Sequence, residues 1–191
     1  LEHERAVLDG ERLVHAVDEE TARLQRIAGD YAPRNATYEF MRGENAGFEL
    51  ELTADSLTQA RADAVLLLDE NDSVVLARFI DLDLGTQIEA DQSVISALLA
   101  AEDLTRPGDP RFSATGALPY DDGVFLVASR SITTSDLYGA PEGTFMIVRY
   151  VDEAQIQAVA AYAQLPVTAY PVDVTTPSDV AADVLAATDP S

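Results

Sequence analysis

Ala64-Val-Leu-Leu-Leu68-Asp69-Glu-Asn-Asp-Ser73-Val-Val-Leu-Ala-Arg78-Phe79 is the stretch that decides the fold. Two strand-forming runs flank a short polar turn whose Asn and Asp accept unusual backbone angles, which is the signature of a β-hairpin from about Ala62 to Phe79. The first run is apolar at every position, so the strand it forms has both faces covered rather than one face open to water. Val124-Phe-Leu-Val-Ala-Ser-Arg130-Ser-Ile132, introduced by the turn signal Asp121-Asp122-Gly123, reads the same way. Thr144-Phe-Met-Ile-Val-Arg149-Tyr-Val151 repeats the pattern after Gly139, Pro141 and Gly143.

Outward from these strands lie helices. Leu13, Val17, Leu24, Ile27 and Tyr31 recur at steps that follow one helical face, predicting a long helix from about Arg5 to Gly29, closed by Gly29 and Pro33. Such a stripe serves either a coiled-coil partner or the domain's own sheet; Glu20, Gly10 and His3 interrupt its heptads. Asn35 offers an N-cap for a short helix, Thr53 for a second carrying Leu57 and Ala60, and Asp91 for a third through Val94, Ile95, Leu98 and Leu99. Arg106-Pro-Gly-Asp-Pro110 is a loop. After Val151, Asp152 is placed to cap a helix through Ile156 and Val159. A Pro-interrupted extended segment from Leu165 to Val174 follows, and Ser178 caps a last apolar helix. The order is α+β: an antiparallel sheet with a long N-terminal helix and flanking helices. The segments read as a helix at 1–30, a sheet-bearing domain at 31–175 and a C-terminal helix or linker at 176–191.

Composition narrows the partners. The 191 residues include 34 acidic and 12 basic ones for a formal charge of −22, and all twelve bases are Arg. Nucleic acid and anionic membrane surfaces are thereby disfavoured, because their binding depends on Lys and Arg displacing counterions. With 47% hydrophobic and 24% charged residues the chain is expected to fold rather than stay disordered. There is no Cys, so no disulfide or thiolate chemistry, and the longest apolar runs fall far short of the roughly 20 residues of a membrane span. A start at Leu1 with no signal-like apolar core reads as a fragment of a larger chain.

No catalytic motif is present. His3 and His15, the only histidines, are twelve residues apart, and there is no G-x-S-x-G, Walker A or G-x-G-x-x-G sequence. Asp69-x-Asn71-x-Ser73 imitates the start of a calcium loop but lacks the Gly and Glu that complete one, so the turn reading prevails. The expectation is a non-enzymatic domain with no metal and no cofactor. The basic residues on strands, Arg78, Arg130 and Arg149, are candidates to clamp an anionic small ligand, or equally to pair with acids at the rim of the sheet. Tyr31, Tyr38, Tyr120 and Tyr150 are candidate pocket walls or core residues. Asn35-Ala-Thr37 and Asn71-Asp-Ser73 match the glycosylation sequon, which matters only outside the cell.

Gly29-Asp30-Tyr31-Ala32-Pro33-Arg34-Asn35-Ala36-Thr37-Tyr38-Glu39-Phe40, with the hairpin, the strand Leu126 to Ser135 and the segment Gly143 to Asp152, resembles the type-four CHASE family of extracellular sensory domains over roughly residues 20–165. The family usually carries Trp-Asp where this chain has Arg34-Asn35. The resemblance implies a PAS-like, Cache-type sheet. It also implies an extracellular or periplasmic location, flanking transmembrane helices that anchor the full-length protein, and a cytoplasmic output such as a histidine kinase, chemotaxis transducer or nucleotide cyclase. Asp30, Tyr31 and Tyr38 from the motif and Arg130 and Arg149 from later strands carry over as important positions. The expected role is a receptor's ligand-sensing domain that homodimerises through its N-terminal helix and shifts that helix when a small molecule binds. The alternative is a structural or protein-interaction domain with no pocket.

The acid excess also predicts a salt-requiring protein, because self-repulsion fades as the Debye length shrinks from about 10 Å at 0.1 M to 3 Å at 1 M salt. Urea unfolding midpoints measured from 0.1 to 2 M NaCl are expected to rise steadily; a flat profile would leave the excess of Asp and Glu without a halophilic cause.

Overall fold

A computed structural model describes residues 2–152 except 107, 122 and 138, with side chains described from residue 17 onward. The expected helices and extended segment beyond residue 152 lie outside the described residues. Within them the order is α1 (Glu2–Tyr31), α2 (Asn35–Met41), α3 (Ala54–Gln59), β1 (Ala64–Leu68), β2 (Val74–Asp81), β3 (Thr86–Ile88), α4 (Gln92–Leu99), β4 (Ser113–Tyr120), β5 (Gly123–Ser131) and β6 (Thr144–Asp152). Short 3-10 turns at Ala46–Leu50 and Glu102–Leu104 complete it.

The six strands form one antiparallel sheet in the order β3-β2-β1-β6-β5-β4. β1 and β6 lie at its centre, paired from Ala64 with Val148 to Leu68 with Thr144. All five residues of β1 and the first five of β6 are buried, because helices cover both faces. Under α1 lie Val65, Leu67, Ile80, Leu126, Ala128, Phe145 and Ile147, packed with Leu24, Ala28, Phe48 and Leu57. On the reverse face Leu66, Leu68, Phe79, Val127, Met146 and Val148 pack with Val94, Ile95 and Leu98 of α4 and with Leu104. Two cores back to back explain why these strands carry apolar residues at successive rather than alternate positions.

The α1 stripe is spent on this sheet from Val17 onward: Leu24 and Ala28 are fully buried, and Val17, Ile27 and Tyr31 pack at the margin. Gly29 does not end the helix, which continues to Tyr31. A side chain at Gly29 would come within 3.3 Å of Arg130 Nη1, so the glycine serves close approach to the sheet. Asn35 is the first residue of α2 and not its cap; Arg34 occupies that place without a capping side chain, and the Asn35 carboxamide is engaged elsewhere. Thr53 and Asp91 do cap α3 and α4, accepting from Ser56 N and from Ser93 and Val94 N.

Two strands had no signal in the sequence. β3 has three exposed residues. Among the described residues β4 is an edge strand, in which Gly116 admits the Leu104 side chain, 3.1 Å from where a Cβ would stand, and Pro119 occupies a position an edge tolerates.

Gly143 enters β6 with φ near +135°, and an added Cβ would fall 1.9 Å from Leu68 O, at the mouth of the central strand pair. Gly143→Ala is expected to cost roughly 3 kcal/mol or more, whereas Thr53→Ala, which removes one cap, costs about 1 kcal/mol. Urea titrations of the two variants beside the parent check the ranking.

Candidate functional site

The predicted site residues fall on both faces of the sheet. Arg78, Arg130 and Arg149 share the face turned to α1, as their register with Val65, Phe145 and Leu126 shows. They do not form one clamp. Arg130 is paired across the sheet with Phe145, four residues before Arg149 on β6, a separation of about 13 Å along an extended strand.

Arg149 Nη1 donates to Asp63 Oδ2 at 2.8 Å, and the Tyr150 backbone N–H reaches the same oxygen at 2.8 Å. Burial pushes the Asp63 carboxyl above the usual carboxylate range, opposed by the charge of Arg149 and these hydrogen bonds. Arg78 lies mid-strand and reaches Glu49 at 3.6 Å and Gln87 Oε1 at 3.4 Å. Both of these arginines therefore have carboxylate partners inside the domain. Arg130 is half-buried, and among the described residues it makes no hydrogen bond or ion pair. Its guanidinium lies against Gly29 in the last turn of α1, a turn that has no basic residue of its own. The positive charge that favours a helix C-terminus is thus supplied by the sheet.

The motif from Asp30 to Phe40 forms the junction between α1 and the β5–β6 connection. Tyr31 stacks on Phe145, ring centroids 5.7 Å apart and planes 11° from parallel, while the Arg34 guanidinium covers Tyr31 at 4.3 Å from its centroid. The Asp30 side chain is exposed, and its backbone carbonyl accepts from Arg34 Nε. Thr133 N donates to Ala32 O at 3.3 Å, and Asn35 Oδ1 accepts from Ser135 N and Oγ at 3.0 and 3.2 Å. Tyr38 stands beside Gly139, with the Arg42 guanidinium 5.9 Å from its ring centroid. Arg34 thus provides a planar group on Tyr31, and Asn35 a carbonyl acceptor for Ser135.

Tyr120 and Tyr150 lie on the opposite face, flanking Phe125 at 4.9 and 5.1 Å. The Tyr120 hydroxyl is 2.6 Å from Ser93 Oγ, which donates to Asp91 Oδ1. Ser129, also on this face, is 1% exposed, and among the described residues its hydroxyl has no partner. A shallow open groove runs between the β1–β2 turn and the loops at Gly108–Pro110 and Gly139–Pro141; none of the eight predicted residues lines it, although Tyr38 stands beside its Gly139. Among the described residues no three acidic or histidine side chains gather as a metal site, and no helix is long and apolar enough to cross a membrane.

The CHASE4 domain family matches residues 16–170, which takes in α1 from Ala16, the junction and the whole sheet. The chain belongs to the CHASE4 family. It is a sensory-type domain, 27% identical over 146 residues to the methanogenesis regulatory histidine kinase FilI of Methanothrix harundinacea (strain 6Ac). That alignment takes 75% of this chain and 16% of FilI, so the chain spans about a sixth of its curated relative. Among solved structures the CHASE4 domain is similar to the extracellular domain of vpHK1S-Z8, assigned as a histidine kinase, at a TM-score of 0.52 and 12% identity. The match covers 82% of this chain and 59% of the other. What that match shows is a likeness of fold.

Arg149→Met is expected to strand the Asp63 carboxylate. Removing one partner of a fully buried pair costs about 3–5 kcal/mol, and partial exposure brings the expected loss to roughly 2 kcal/mol at neutral pH. Asp63 titrates higher folded than unfolded, so its ionisation opposes folding as pH rises through its folded value. The variant's deficit should therefore shrink on acidification toward pH 5, read from urea titrations at two pH values.

Proposed function

We propose that this CHASE4 domain is the extracellular ligand-sensing domain of a membrane-anchored receptor with a cytoplasmic histidine kinase output. A small anionic molecule is its signal, and α1 carries that signal. Homodimer contacts are left to α1 ahead of Val17, since the stripe from there onward packs on the sheet. The observation that carries the reading is Arg130, which among the described residues has no ion pair in a chain with nearly three acids per base. Both other strand arginines are paired. A carboxylate ligand that engaged Arg130 would draw the guanidinium from the α1 terminus. Its binding energy would then differ between two helix positions, which coupling between ligand and output requires. The histidine kinase output follows FilI and vpHK1S-Z8.

A second reading, a structural or protein-interaction domain without a pocket, draws on the two cores that fill both faces of the sheet with side chains.

A thermal-shift screen of amino acids and short organic acids separates the two. A compound at a hundred times its Kd stabilises by about 2.7 kcal/mol and raises Tm by roughly 5–10 °C. At least one carboxylate is expected to do so, with Arg130→Met losing the response and the parent fold retained. Spin labels on α1 of the full-length receptor should then report two distances, with and without that compound. No hit in the panel, or a hit that Arg130→Met leaves intact, defeats the anion reading; a single unchanged distance defeats the helix shift.

A further inference from the structure

We propose that Asn71, at the tip of the β1–β2 turn, carries an N-linked glycan in the mature receptor; the inference rests on the extracellular location proposed above. Two Asn-x-Ser/Thr triplets occur in the chain, and the structure treats them in opposite ways. At the first, Thr37 is fully buried with Oγ1 donating to Tyr31 O at 2.6 Å, and Asn35 Oδ1 is held by Ser135. Freeing that triplet for an enzyme would break the junction between α1 and the sheet. At the second, Asn71 and Ser73 are both exposed, and among the described residues neither side chain makes a hydrogen bond. The turn is held by its backbone and by Asp69, whose Oδ1 accepts from Asn71 N at 2.8 Å and Ser73 N at 2.9 Å. The acceptor amide and the hydroxyl two residues on are therefore free while the hairpin stays folded, and the middle residue is Asp, not Pro.

Position in the sheet agrees. Leu68 pairs with Thr144, and Ser131 also pairs with Thr144, so the Asn71 turn shares an end of the sheet with the β5–β6 connection and the C-terminus of α1. Residue 152, where β6 pairs with Gly123, is at the other end, as is the start of α1. In a receptor entered through α1, Asn71 is thus on the tip facing away from the membrane, open to a bulky group. A glycan there would stand over the shallow groove that Asn71 lines with Glu70, Pro110 and Pro141.

The chemistry is a transfer from a lipid-phosphate-linked oligosaccharide by a membrane oligosaccharyltransferase. Asn71 Nδ2 bonds to the anomeric carbon, the bond from that carbon to the phosphate oxygen breaks, the lipid phosphate leaves and the amide gives up one proton. No change of oxidation state is involved.

Trypsin separates the two triplets, because cleavage at Arg34 and Arg42 releases 35–42 and cleavage at Arg61 and Arg78 releases 62–78. In the full-length receptor purified from its source cell, mass spectrometry is expected to find 62–78 heavier by whole sugar residues and 35–42 at its bare mass. Asn71→Gln and Ser73→Ala should each return 62–78 to the mass its sequence gives, and Ser73→Thr should keep the addition. Protease added to intact cells reports the domain's location in parallel. A bare Asn71 in a domain cleaved from outside overturns the glycan alone. A domain protected from the protease overturns the extracellular reading and the glycan with it.

Discussion

Two-sided burial of β1 and β6 is the constraint on which the rest of this domain depends. A strand covered on both faces has no solvent side on which to place polar residues, so charge is driven to strand ends, turns and the rim. The acid load of the chain is accommodated in this way: Asp69, Asp81, Asp91 and Asp109 each accept backbone N–H groups in turns and caps, and Asp63 enters the sheet only where β1 begins, with Arg149 and the Tyr150 N–H as partners. Arginines that lie on the covered faces need partners or a helix end, and Arg130 has the second.

Much of this was legible in the sequence because it is local. The runs at Ala64–Leu68, Gly123–Ser131 and Thr144–Asp152 declare strands, the period of α1 declares its helix, and Thr53 and Asp91 declare their caps. Illegible elements were those whose reason lies elsewhere in the chain. Gly29 looks like a terminator until Arg130 is seen beside it. Asn35 looks like a cap until Ser135, a hundred residues on, claims its carbonyl. β4 gave no strand signal because its Gly116 answers to Leu104 and its Pro119 to its place at the end of the described sheet.

The candidate site divides in the same manner. Residue types were informative, since arginines on apolar strands of an acidic chain are unusual and each lies on the α1-facing side. Grouping was not, because spacing along a strand cannot tell which of the two faces a tyrosine joins: Tyr31 stacks on Phe145 under α1, while Tyr120 and Tyr150 flank Phe125 behind the sheet. The Ser129 hydroxyl, without a partner among the described residues, gave no signal because a serine amid apolar residues is compatible with either an edge or a turn.

The position of Gly29 gives α1 a mechanical character. Glycine lowers helix stability by about 1 kcal/mol relative to alanine, so the last turn is held by its surroundings more than by its own propensity. The stretch from Val17 to Tyr31 is clamped on the sheet, and from Val17 back to Glu2 the helix extends a further distance of roughly 22 Å at 1.5 Å per residue. A rod with a clamped base is a lever arm: a bend of about 10° near Val17 would carry the far end roughly 4 Å. A displacement that leaves Leu24 and Ala28 in their places becomes a full side-chain width at Glu2.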